Sequence, residues 1–288
     1  MDLNGDGFTD ILSGSYSRMS QPMAGLFQVL WGEAKGSFKT AAVVNGTDDK
    51  PLIIPADEQT IVENICTRPM AVDWNGDGHL DLVVGNFAGS FYVFTGKGKG
   101  QFSPEPKKIM TEGKELKIQG NHSDPFPVDW DRDGDLDLLS GADSGGVQWA
   151  ENSAGAGVEP VLKPFRELIK ANQTTDYGKP RDEASLTGPT DSTRVWVDDV
   201  NSDGKLDVIV GDSITLVAMA EGLSKEDFER KQAEWNKAIA KVSQERQAAD
   251  GDQKKAREAS EKFQKLYDQR SEFIIEDSTG FVWLYLQK

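Results

Sequence analysis

The chain has 288 residues, 37% of them hydrophobic and 29 of them glycine, enough to bury a sizeable core between many turns and too apolar for disorder. Its formal charge of −16 argues against nucleic acid, whose binding depends on a basic face. A single cysteine, Cys66, excludes an intramolecular disulfide, and no run is long and apolar enough for direct membrane insertion.

The first predicted element is a loop, DLNGDGFTD at residues 2–10, followed by the short strand DILSG. The same order returns in DWNGDGHLD with DLVVG, DWDRDGDLD with DLLSG and DVNSDGKLD with DVIVG, so four copies of D-x-[ND]-x-D-G-x-x-D lie along the chain. Carboxylates crowded in this way repel one another unless a cation lies among them. Oxygen ligands at alternate positions, with a glycine for the sharp turn after the third, are what calcium asks for, whereas magnesium insists on octahedral geometry.

The expected ligands are the first, third, fifth and ninth side chains and the seventh backbone carbonyl. In chain order they are Asp2, Asn4, Asp6, Phe8 and Asp10; Asp73, Asn75, Asp77, His79 and Asp81; Asp129, Asp131, Asp133, Asp135 and Asp137; and Asp199, Asn201, Asp203, Lys205 and Asp207. About four Ca2+ ions would add roughly +8 and bring the net charge to about −8, so much of the acidity is ligand rather than surface. An EF-hand is excluded because position twelve, a bidentate glutamate there, is Ser13, Val84, Ser140 or Val210 here. The β-branched and leucine-rich runs that follow are strands.

Calcium loops set between strands, with a later strand in each unit (GLFQVLWG, GSFYVFTG, GGVQWAEN and GFVWLYLQK), resemble the FG-GAP or VCBS repeats of integrin-alpha-like β-propellers. The resemblance implies an all-β fold, a β-propeller of four-stranded blades, with four blades visible. Propellers of that family generally close with seven, which makes the chain a fragment of a larger ring. It also implies an extracellular or cell-surface protein whose signal peptide is lost with a missing N-terminal part, acting as a binding or adhesion module toward a protein or carbohydrate ligand.

Loop spacing predicts blades at approximately 1–55, 56–113, 114–187 and 188–288. The last is interrupted from 223 to 271 by a charged, helix-favouring insertion with a capping-box pattern at Ser224 and Asp227. Phe228, Trp235, Ile239 and Val242 form one stripe, and Ala256, Ala259, Phe263, Leu266 and Tyr267 another, with DGD at 250–252 between them. Two antiparallel helices burying these stripes against each other are expected, with the charges as a solvated face. Successive antiparallel strands turn at opposite ends, so the hairpin should rise from the face opposite calcium. The long connections 45–64, 111–123 and 174–192 belong to that face, where ligand recognition is expected.

Single residues carry plainer expectations. Cys66, beside Ile61 and Ile65, reads as a buried structural thiol. Trp74 and Trp130 read as packing between blades, His79 as a ring in solvent and His122 as a solvated loop histidine. Tyr177, Lys179 and Arg181 read as an ordinary charged loop. The competing function is a propeller enzyme acting on carbohydrate through paired carboxylates. GADSGGVQW, residues 141–149, departs from the sialidase Asp-box in both its first residue and its tryptophan spacing, and no nucleophile elbow, zinc cluster or phosphate loop is present. A non-enzymatic module is therefore the expectation.

Overall fold

The computed structural model describes residues 1–16, 25–172, 180–249 and 253–288, so Tyr177, Lys179 and the 250–252 break lie outside the described residues. The chain is mostly β, in antiparallel sheets, and divides into two compact units. The first comprises Met1–Gln173, Gly188–Asp212 and Phe281–Lys288, and the second Thr174–Thr187 and Ser213–Gly280.

In the first unit, β1 (Ile11–Ser13), β2 (Gln28–Leu30) and β3 (Ala42–Val43) pair in that order. Among the described residues this sheet has three strands rather than the expected four; ahead of β1 the Asp10 N–H donates to the Met1 carbonyl. Next comes the sheet of β4 (Arg68–Val72), β5 (Asp81–Gly85), β6 (Phe91–Phe94) and β7 (Lys107–Lys108). A small hairpin, β8 (Met110–Thr111) with β9 (Lys114–Glu115), separates it from the sheet of β10 (Asp124–Val128), β11 (Asp137–Gly141), β12 (Val147–Ala150) and β13 (Arg166–Ile169). The last sheet begins with β14 (Asp191–Asp198) and β15 (Asp207–Met219); residues Val208–Gly211 of β15 pair with β17 (Val282–Tyr285).

The second strands of the two middle sheets, β5 and β11, are apolar on both faces because both faces are covered. Leu82 and Val84 join Phe27, Val29, Leu52, Ile54 and Phe94 in one core cluster, while Val83 between them turns to a second with Trp74, Leu138 and Ala150. Leu139 in turn faces a third cluster with Trp130, Val208 and Val210. The four sheets are thus stacked face to face, with Trp74 and Trp130 packed between neighbours as their sequence positions suggest. Burying each such large side chain contributes about 1.5–3 kcal/mol.

The glycine closing each second strand makes this stacking possible. A Cβ on Gly14, Gly85 or Gly141 would lie 1.9, 2.3 or 2.3 Å from the carbonyl oxygen of Thr67, Ser123 or Thr193 in the following sheet. At each junction the next residue's N–H (Ser15, Asn86, Ala142) donates to that same Ser or Thr hydroxyl, at 2.8, 2.8 and 2.9 Å. Gly211 occupies the equivalent position in the last sheet and has nothing within 4 Å of such a Cβ.

In the second unit, Ile214–Met219 of β15 pair with β16 (Ile274–Thr279), and Arg181 bridges to Val217. Helix α1 (Lys225–Ala248) starts at Ser224, whose hydroxyl accepts the Asp227 N–H at 3.1 Å. It is followed by α2 (Gln253–Gln269), and the two are tied by Trp235 Nε1 donating to the Leu266 carbonyl and by Lys262 with Glu245. The stripes are not buried solely against each other. Phe228 packs on Phe273, Ile274 and Val217 because the helix N-terminus lies over the strands, and Tyr267 is exposed.

Of two single side chains in the first unit, Cys66 is as expected and His122 is not. Cys66 is buried, and burial pushes its thiol up from the ordinary value. His122 is half-buried rather than solvated, because a left-handed backbone (φ 59°) and an N–H bond to the Phe87 carbonyl fold it inward against the Phe87 ring.

Candidate metal centre

Each acidic loop joins a first strand to a second: β4 to β5, β10 to β11 and β14 to β15, with Asp2–Asp10 leading into β1. The curl comes from the motif's own side chains capturing backbone N–H groups just ahead of them. In the first loop Asp2 accepts from Gly5, Asp6 and Gly7, Asn4 from Asp6, and Asp6 from Phe8. The second repeats this with Asp73 accepting from Asp77 and Gly78, Asn75 from Asp77, and Asp77 from His79. In the fourth Asp199 accepts from Asp203 and Gly204, Asn201 from Asp203, and Asp203 from Lys205. In the third, Asp129 accepts from Gly134 and Asp133 from Asp135. His79 is exposed to solvent.

The backbone must be left-handed at the fourth and sixth positions. The sixth is always glycine, but the fourth is Gly5, Gly76, Arg132 (φ 64°) and Ser202 (φ 59°). Side chains in that region cost about 1–2 kcal/mol. Arg132→Gly and Ser202→Gly are each expected to stabilise the chain by about 0.5–1 kcal/mol, part of the relief being returned to a freer unfolded chain; thermal melts that show no gain in either variant would contradict this.

Among the described residues, one group of three acidic side chains has ligand oxygens all within 4.8 Å of one another: Asp129, Asp131 and Asp133. The other three loops carry asparagine in the third position. Asp129 Oδ1 is buried with no hydrogen-bond partner, as is Asp135 Oδ1. An orphaned carboxylate oxygen facing two further carboxylates fits a hard cation. Burial, followed by the charge of Asp133, raises the Asp131 carboxyl. Burial also raises Asp135, whose side chain accepts the Gly155 N–H at 2.7 Å beside offering its carbonyl position.

The ninth aspartate is held elsewhere. Asp10, Asp81, Asp137 and Asp207 are all buried, and in each both oxygens accept backbone N–H groups. One comes from the loop's second residue (Leu3, Trp74, Trp130, Val200) and one from the far end of the third strand (Gly32, Gly96, Asn152, Gln287). Asp137 is not part of the group formed by Asp129, Asp131 and Asp133. Without a cation its carboxyl is pushed up to about 6, chiefly by burial, with Asp131 and Asp135 adding and the Asn152 and Trp130 N–H groups opposing. Sequence spacing leads to the expectation of a ligand at this aspartate; its role as a clamp between three chain segments depends on partners as much as 80 residues away.

Residues 73–140, which hold the second and third loops with the strands between and after them, match the family model of the FG-GAP-like repeat. Comparison with curated proteins gives no match.

Proposed function

We propose that this chain, whose residues 73–140 match the FG-GAP-like repeat, is a calcium-binding, extracellular β-propeller module that recognises a ligand and performs no chemistry on it. The carrying observation is that each acidic loop curls through hydrogen bonds from its own backbone N–H groups to its own side chains, and that in the third Asp129, Asp131 and Asp133 bring ligand oxygens within 4.8 Å of one another, with Asp129 Oδ1 unpartnered. Calcium would be held by those side chains and the carbonyls of Phe8, His79, Asp135 and Lys205. The ninth aspartate keeps a second lone pair on each oxygen for the same ion. The ion supplies positive charge that cancels the repulsion within each loop, coupling folding to calcium. Further blades covering the exposed outer faces of the first and last sheets would complete the propeller, and the ligand would meet the loops at the sheet ends away from calcium.

Asp133→Ala tests this reading. The variant is expected to bind one calcium fewer per chain and to melt lower than the parent in calcium but not in chelator; unchanged stoichiometry would contradict the site.

A further inference from the structure

Strands β4, β10 and β14 run side by side through the stacked sheets of the first unit. Five residues before the first aspartate of their loops, at equivalent positions, they carry Arg68, Asp124 and Arg194. Both arginine Nε atoms lie 3.9 Å from the same oxygen, Asp124 Oδ1, while Oδ2 accepts the Val195 N–H. Neither arginine forms a hydrogen bond at that distance. Arg68 donates through Nη1 to the His122 carbonyl, and Arg194 through Nη1 to the Ser192 and Thr193 carbonyls. Two guanidinium groups and one carboxylate leave a single surplus positive charge, in a chain whose net charge is −16. The surplus is held in place: Arg68 and Asp124 are mostly buried, and the Arg194 side chain is 47% exposed and open to an incoming group. Next to this layer, His122 Nε2 is buried without a hydrogen-bond partner. Burial, followed by the charge of Arg68, lowers the His122 pKa, favouring the neutral ring.

Two residues further along β10 and β14 stand Phe126 and Trp196, edge to face with ring centroids 5.3 Å apart. Trp196 is 54% exposed although its ring is fixed by this contact. A guanidinium fork matches a planar carboxylate, and a rigid exposed indole beside it matches the apolar face of a pyranose ring. A dianionic phosphate would be left overcompensated beside Asp124, and an acidic peptide gives the indole nothing to do. We propose that the layer of Arg68, Asp124 and Arg194, together with Trp196, binds the carboxylate and ring of a uronate-containing saccharide. Arg68 and Asp124 open β4 and β10, Arg194 lies midway along β14 and Trp196 two residues further on; the assignment rests on the proposed reading of the chain as a ligand-binding module.

The test is calorimetry in calcium buffer on the full chain. The probes are a tetrasaccharide of alternating glucuronate and N-acetylglucosamine, the same saccharide with its carboxyls reduced to alcohols, and a tetraglutamate peptide. The acidic saccharide is expected to bind, with a loss of about tenfold or more on carboxyl reduction and in Arg194→Gln. Trp196→Ala is expected to weaken it too, and both variants should stay folded with the parent's calcium count. No binding, equal binding of the reduced saccharide, or equal binding by Arg194→Gln overturns the site. Binding of tetraglutamate alone overturns the sugar assignment. If saccharide binding held while the calcium count failed, the loop reading would fall and this site would stand.

Discussion

Replacing Asp81 with alanine is expected to destabilise the chain by about 3–5 kcal/mol even in chelator, with a further loss in calcium. The Asp81 side chain is 1% exposed and accepts the Trp74 N–H at 3.0 Å and the Gly96 N–H at 2.6 Å. Removing it orphans two buried backbone donors, each costing about 1–3 kcal/mol, and leaves a small cavity besides. Asp77→Ala in the same loop makes the comparison informative, because Asp77 is exposed and its main-chain partner is the neighbouring His79 N–H. That variant should lose stability in calcium only. Urea denaturation of both variants, with and without chelator, separates the two roles; an Asp81→Ala loss that vanished in chelator would show that the aspartate acts through the ion and not as a clamp.

Gly141→Ala is expected to cost about 3 kcal/mol or more, at the upper end for overpacking, whereas Gly211→Ala should be close to neutral. Both glycines close the second strand of a sheet. At Gly141 a Cβ would stand 2.3 Å from the Thr193 carbonyl oxygen and 2.9 Å from its hydroxyl, so two backbones held together by hydrogen bonds would have to separate. At Gly211 a Cβ meets nothing within 4 Å, and its φ needs no glycine. Thermal melting of the pair reads the difference directly. Equal losses would mean that these glycines serve strand conformation rather than the approach of the next sheet.

The loops and the strands after them were legible because their chemistry is local: a carboxylate, an amide and a glycine at fixed spacing bend the chain through bonds to residues only two to five positions away. The helices were legible for the same reason, from Ser224 and from the apolar spacing along α1 and α2. What escaped depends on distant partners. Leu52 and Ile54, in a connection read as a surface loop, are buried beside Phe27 and Phe94, since PLIIP has no strand alternation to announce a core segment. The double engagement of Asp10, Asp81, Asp137 and Asp207 was hidden because a clamp and a ligand use the same carboxylate. The pairing of β15 with β17 along one stretch and β16 along the next follows from the inserted helices and leaves no mark in DVIVGDSITLVAM itself. The layer of Arg68, Asp124 and Arg194 could have been found by aligning the four loops and reading backward from each, where RPMAVD, DPFPVD and RVWVDD fall into register.

The most direct test of the central claim is calcium titration by calorimetry, with melting followed in calcium and in chelator. The proposed function predicts close to four ions per chain, one for each acidic loop, and a large fall in melting temperature on chelation. Absence of binding, or binding that leaves the melting temperature unchanged, would contradict the assignment of these loops as structural calcium sites.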